Sequence, residues 1–240
     1  MRDYLPVDPT GHVPVDAADR AVRLSTPPSP AGPAVHLGGG RWAVRVADVS
    51  AYGERVRDAR FFGHDREVSR AIALLRHRDG YSFDPVDGSP LTFDDEGIRA
   101  AGASGRPLFP RVNPAVIGLV HLAGAERILL GRNAARGSYF SLIAGYVDAG
   151  ENLEEAFARE VWEEVGRRVT DVTYWGSQPW AISGSLMVGF TAITSDREAV
   201  GGTDGEIIET RWVSREELAD LPLAPPGSIA HAMISDWRDS

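Results

Sequence analysis

The chain has 240 residues, a formal net charge of -9, 43% hydrophobic and 25% charged residues, ordinary values for a globular protein with one large or two small domains. Cysteine is absent and all 25 basic residues are arginine, which excludes disulfides, thiolate zinc sites, thiol nucleophiles, a P-loop lysine and a Schiff-base lysine. The acidic balance argues against non-specific binding to duplex nucleic acid, yet leaves room for a polyphosphate held through cations.

Residues 1–34 lack periodicity and end in the Pro-rich TPPSPAGPA, which reads as an irregular arm. After the Gly38–Gly39–Gly40 turn, RWAVRVADV (41–49) alternates like a strand. The three glycines lack GxGxxG spacing and a following helix, so they make a poor phosphate loop. Asp65 can cap a helix running to about His77, with Val68, Ile72 and Leu75 on its apolar side. Residues 1–80 are therefore expected to form a small α/β domain and 81–111 a loop-rich connector. From Pro114, AVIGLVHLAG and RILLGR predict two strands joined near Gly124, and FSLIAGYV a third. Leu153, Phe157 and Val161 give the next segment a helical apolar stripe. VTDVTYWGSQPW and SLMVGFTAIT predict a strand, a turn and a strand; ETRWVSREEL predicts a strand running into a helix. A terminal helix follows LAPPG. This order predicts an α/β (α+β) fold with a mixed sheet sandwiched by helices over 112–240. No apolar run reaches the roughly 18 residues of a membrane span. MRDYLPVDPTGH has no signal-peptide core, so no membrane partner and a cytoplasmic location are expected.

There is no HExxH pair, no tight histidine cluster and no GxSxG elbow. What remains for chemistry is a run of carboxylates. Glu160, Glu163 and Glu164 stand at i, i+3 and i+4, neighbours on a helix. Like charges so placed repel, and Arg159 offsets only one of them. Hard oxygen donors clustered in this way suit Mg²⁺ or Mn²⁺, ions that also hold substrate phosphates.

From Gly145 the chain reads G-x5-E-x7-R-E-V-x-E-E-x-G, through Glu151, Arg159, Glu160, Glu163, Glu164 and Gly166. This resembles the Nudix box of hydrolases that cleave nucleoside diphosphates linked to another moiety. One position departs: Arg167 stands where the family has an aliphatic residue, a change expected to alter the packing of the helix end more than the chemistry. Downstream, the stretch Ser177 to Met187 resembles the SQPWPFPxSLM motif of the NADH pyrophosphatase branch. Members of that branch split NAD(H) into nicotinamide mononucleotide and AMP, and some remove NAD caps from RNA 5′ ends. Including the segments around 60–77, 109–120, 204–213 and 221–230, the resemblance covers roughly residues 60–240.

The resemblance implies a Nudix α/β/α sandwich, with Glu160, Glu164 and Glu206 as metal-binding carboxylates and the carbonyl of Ala144 as a backbone metal ligand. Glu163 lies on the same face, to share the metal or polarise water, and Glu151 is expected to clamp loop and helix. Tyr146 matches an aromatic that stacks on a base. Gln178, Pro179, Trp180, Ala181, Ile182, Ser183, Gly184, Ser185 and Met187 match a substrate-lining stretch; Phe109 matches a tyrosine of a partner-facing site, and Ala230 a backbone contact near adenine. The branch also carries a zinc ribbon with two C-x2-C pairs. Here these fall on Asp84 and Asp87, and on Ala101 and Ser104, so 81–111 is a vestigial connector and no zinc is expected. The family's central Pro-Phe-Pro is Ala181-Ile182-Ser183, which should reshape the pocket. The functional expectation is an Mg²⁺- or Mn²⁺-dependent dinucleotide pyrophosphatase, acting on NAD(H) or NAD-capped RNA 5′ ends and assembled as a homodimer. Its rivals are the same chemistry on an NAD-derived or other nucleoside-diphosphate intermediate, and a non-catalytic Nudix-type nucleotide sensor.

Overall fold

The computed structural model describes residues 2–135 and 137–240. The chain divides into two units: residues up to Val112 together with Pro179–Gly184, and Asn113–Gln178 together with Ser185–Ser240.

In the first unit, β1 (Asp3–Val7), β4 (Arg41–Arg45) and β3 (Ala34–Gly38) form a three-stranded sheet in the order β1-β4-β3. β1 runs parallel to β4, and β3 antiparallel to it. A second ribbon pairs β2 (Val13–Val15) with β5 (Arg55–Arg57). Helix α1 (Arg66–Gly80) begins at Asp65, whose carboxylate accepts from the amides of Glu67 and Val68. Val68, Ala71, Ile72 and Leu75 of α1 bury against Leu5, Val7, Val35 and Ala43. The expected irregular arm is therefore corrected: residues 3–7 and 13–15 are strands, and Leu5, Val7, Val13 and Val15 are fully buried. Pro6 lies in β1, an edge strand, where a missing amide donor is tolerated.

The positions matched to the zinc ribbon by resemblance lie between Tyr81 and Arg111, where β6 (Thr92–Phe93) pairs with β7 (Ala100–Ala101). Asp84 is buried and accepts from Ser104 Oγ at 2.5 Å and from the Val86 amide at 2.8 Å. These bonds hold its carboxyl below the usual range.

The second unit is built on β8 (Asn113–Leu122), β9 (Ile128–Asn133), β10 (Ile143–Tyr146), β11 (Thr170–Trp180), β12 (Ser185–Thr194) and β13 (Ile207–Val213). The order is β11-β12-β8-β9-β13, with β10 also on β8. β12 runs parallel to β8, while β10 and β9 lie antiparallel against residues 115–118 and 120–121 of β8. Both faces of β8 are covered, hence its nearly continuous apolar run. On one face Val116, Val120 and Ile143 pack against α2 (Leu153–Val165) through Ala156, Phe157 and Val161. On the other, Ile117, Leu119 and Leu130 pack against α3 (Ile229–Asp239) through Ile229, Met233 and Trp237. The mixed sheet between helices expected from the sequence is present. The expected helix after β13 is a single turn, Glu217–Asp220. No helix among the described residues is long and apolar enough to cross a membrane.

Candidate active site

Strand β10 and helix α2 carry the carboxylate run and bring its parts together. A reciprocal capping box between Asn152 and Glu155 starts α2, and left-handed Gly166 (φ 64°) ends it. Inside that frame Arg159 gathers the acids. It donates to Glu151 at 2.6 Å, to Glu160 at 2.9 Å, to Glu163 at 2.8 Å and to the Tyr146 carbonyl at 2.8 Å. Glu151 also accepts from the Asp148 amide at 3.0 Å, tying the loop before α2 to the helix. The Arg159 bond holds the Glu151 carboxyl below its usual range. Arg159 is in turn raised above the ordinary arginine value, first by Glu151 and then by Glu163 and Glu160.

Glu160 is pushed the other way. Burial raises its carboxyl, and the charges of Glu163 and Glu206 add to the effect, while Arg159 opposes it. Its carboxylate lies against β10 at Gly145, in space that a Cβ would fill. Glu164 is 4% exposed. It shares the wall of a shallow, open pocket with Ala144, Asn133, Tyr139, Ser141 and Ile207. Glu206 is exposed at the start of β13. Among the described residues, no three His, Asp or Glu side chains are placed so as to hold a metal ion together; the guanidinium of Arg159 sits among Glu151, Glu160 and Glu163. In chemical kind, though, these donors suit a hard divalent cation. The oxygens gathered here are carboxylate oxygens, and Arg159 faces several of them, while Glu163 and Glu206 oppose Glu160.

The expected substrate residues separate into groups. Tyr146 on β10 and Met187 on β12 both stand in register with Ala115 of β8, one on each side. The Tyr146 hydroxyl is bonded to Ser185 Oγ at 3.2 Å, and the Tyr146 ring is 54% exposed. Gln178 is buried with both ends of its amide engaged. It donates to the Gly227 carbonyl at 2.8 Å and accepts from the Ile229 amide at 2.7 Å, anchoring the start of α3. Ala230, in the first turn of α3, is buried in the core. Phe109 and the segment Pro179, Trp180, Ala181, Ile182, Ser183 and Gly184 belong to the first unit. There Phe109 is exposed, the Gly184 amide closes a turn on the Trp180 carbonyl, and Ala181 and Ile182 pack on the core of β1, β3 and α1.

A NUDIX domain model matches residues 112–236, more than half of the chain. The chain belongs to the Nudix family. It is 41% identical to the NAD-capped RNA hydrolase NudC of Mycobacterium tuberculosis, over 90% of this chain and 78% of that protein. The NAD-capped RNA hydrolase NUDT12 of Homo sapiens is 30% identical over 71% of this chain and 41% of its own length. A Nudix hydrolase from Nitrosomonas europaea superposes with a TM-score of 0.54 at 20% identity, covering 66% of this chain and 91% of that one, which shows the shared fold. As a Nudix hydrolase the chain acts on a phosphoric anhydride.

Two features complete this Nudix site, one expected from the sequence and one not. Arg167 is buried at the end of α2, where it donates to the carbonyls of Val165 at 2.8 Å and Arg197 at 3.2 Å and lies over the Trp212 ring. Burial lowers its pKa. The family departure thus packs the helix end against the 196–206 loop. The other is Asp204, whose carboxylate caps the Glu206 amide at 2.9 Å. An Asp two residues before a Glu, with Gly205 between, is the sequence signal of such a turn.

Proposed function

We propose that the protein is an Mg²⁺- or Mn²⁺-dependent pyrophosphatase that cleaves the diphosphate of NAD(H) into AMP and nicotinamide mononucleotide, or that of an NAD cap into nicotinamide mononucleotide and RNA with a 5′-monophosphate end. The observation that carries this reading is the carboxylate group on α2: Glu160 is pressed against Gly145 and opposed by Glu163 and Glu206. The similarity to NAD-capped RNA hydrolases supports the substrate class.

Glu160, Glu163, Glu164 and Glu206, with the Ala144 carbonyl, would hold the cation, which supplies charge neutralisation to the diphosphate when bound. Arg159 orients Glu160 and Glu163 and keeps Glu151 as a structural brace. A glutamate of this group takes the proton from attacking water; positioning and electrostatics do most of the remaining work. Tyr146 presents an exposed ring on which a base can stack, with Ser185 and Met187 beside it. Gln178 holds α3 and so supports this wall rather than reaching the ligand. The expected homodimer, with Phe109 facing a partner copy, and a cytoplasmic setting complete the proposal.

A second reading is favoured by one observation. Ala181 and Ile182 replace the rigid Pro-Phe of relatives and pack on an apolar core, which leaves room for another NAD-derived or nucleoside-diphosphate substrate. Incubation with NADH, NAD⁺, ADP-ribose and NAD-capped RNA in Mg²⁺ or Mn²⁺, followed by product analysis, separates the two. AMP with nicotinamide mononucleotide is expected. Turnover of ADP-ribose alone would favour the second reading, and Glu163→Gln and Glu164→Gln variants that hydrolyse at the wild-type rate would remove the catalytic assignment.

A further inference from the structure

The loop between β12 and β13 is fastened to the C-terminal end of α2 at several points. The amides of Val200 and Gly201 both donate to the Gly166 carbonyl, at 2.8 and 3.2 Å. Gly201 lies on the Trp162 indole so closely that a Cβ would overlap the ring. Arg168 pairs with Asp196 at 2.9 Å, and the Trp212 indole donates to the Arg197 carbonyl at 2.7 Å. These contacts fix where the loop starts. They leave open how its far end is aimed.

That end is set by Asp204. Its amide donates to the carbonyl of Glu163, on the last turn of α2, at 2.9 Å. Its Oδ1 accepts the amide of Glu206 at 2.9 Å. Gly205 between them takes a left-handed φ of 86°, which a side chain would strain. The Glu206 carbonyl then accepts from the Ala134 amide at 3.1 Å, and the next residue, Ile207, lines the same pocket as Ala144 and Glu164. A single aspartate thus joins the backbone of one candidate metal-binding glutamate to that of another.

We infer that Asp204 is a positioning residue, which registers Glu206 against α2 so that its carboxylate shares a cation with Glu160. The role rests on the metal-dependent reading above and goes beyond it by naming the group that aims the ligand contributed from outside α2. The part required of Asp204 is the Oδ1 acceptor, not the charge. Asparagine keeps that acceptor, since Asn forms the same turn.

The test is Mn²⁺ titration calorimetry on the full chain freed of metal, comparing wild type, Asp204→Ala and Asp204→Asn, with amide hydrogen exchange of the peptide containing Glu206. Asp204→Ala is expected to weaken Mn²⁺ binding by about 10- to 100-fold, the usual effect of losing a group that orients a ligand, and to speed exchange at Glu206. Asp204→Asn should restore both. Wild-type Mn²⁺ affinity in Asp204→Ala overturns the role, and so does an Asn variant as weak as Ala, which would make the carboxylate charge itself the requirement. Binding is read without substrate, so failure to cleave NAD(H) would touch the substrate assignment and not this one. A wild-type chain that binds no Mn²⁺ would remove the metal-dependent reading and this role together.

Discussion

Glu160 rests its carboxylate on the backbone of Gly145, in the volume that a Cβ at position 145 would take. The glycine heading the Nudix box is thus required by a close approach. Ile143–Tyr146 is regular strand, and Gly145 is absent from the glycines with positive φ. Alanine therefore fits the backbone and collides only with the end of a movable side chain. Gly145→Ala is expected to keep the fold, with a thermal midpoint within about 2 °C of wild type. Displacing Glu160 should lower hydrolysis by about 10-fold or more. Melting curves beside initial rates check the pairing; a loss of stability without loss of rate would contradict it.

Arg159 invites a different test, because it is the cation at the centre of Glu151, Glu160 and Glu163. Removing it leaves those carboxylates facing one another. Its side chain is 27% exposed, so solvent moderates the cost, and Arg159→Ala should destabilise by about 1–3 kcal/mol. Arg159→Lys should recover only part, since an ammonium cannot span all these partners as a planar guanidinium does. Added Mg²⁺ should stabilise Arg159→Ala more than wild type, because the cation then offsets the unopposed acids. Denaturant unfolding with and without Mg²⁺ measures both effects.

The features that were legible in the sequence are local ones. The cap Asp65 acts within a few residues of itself, and the stripe Leu153, Phe157, Val161 declares the buried face of α2 by spacing alone. What was not legible depends mostly on distant partners. β1 becomes a strand only because β4, nearly forty positions on, accepts it as a parallel neighbour, and Leu-Pro-Val shows no alternation because all three residues are buried. Gln178 lies in the stretch that resembles a substrate-lining motif, and nothing local announces that its amide bonds Gly227 and Ile229, the latter 51 positions away. Ala181 and Ile182 carry nothing in their own composition to say which core they join; the apolar face of the first unit decides it.

The sheet beneath α2 has its own close approach. A Cβ on Gly118 of β8 would meet the Phe157 ring and, at 2.6 Å, the Phe190 carbonyl. Phe157 and Phe190 stack with centroids 5.9 Å apart, filling the layer between helix and sheet. A backbone oxygen cannot turn aside as a carboxylate can. Gly118→Ala is thus expected to destabilise by about 1–3 kcal/mol through overpacking, and to impair hydrolysis only as far as the shift of α2 carries Glu160 with it. Comparing urea midpoints and rates of Gly118→Ala with those of Gly145→Ala should show opposite emphases: stability falls at 118, activity at 145.

Two histidines give the fold a pH dependence of definite sign. His77 of α1 is 6% exposed between Tyr81 and Phe93, and burial, then the charge of Arg111, lowers its pKa. His121 of β8 packs edge-on to Trp237, and burial, then Arg215, lowers its pKa as well. Both folded values lie below the 6.5 of a free imidazole, so near and below that pH the unfolded chain takes up more protons than the folded one. Their contribution to stability is whole above about 6.5 and is lost as pH falls through the lowered folded values. Urea midpoints should hold steady from pH 8 to about 7 and decline below about 6.5. His77→Gln and His121→Gln should each flatten that decline; an unchanged slope in both variants would assign the acid sensitivity to the carboxylates instead.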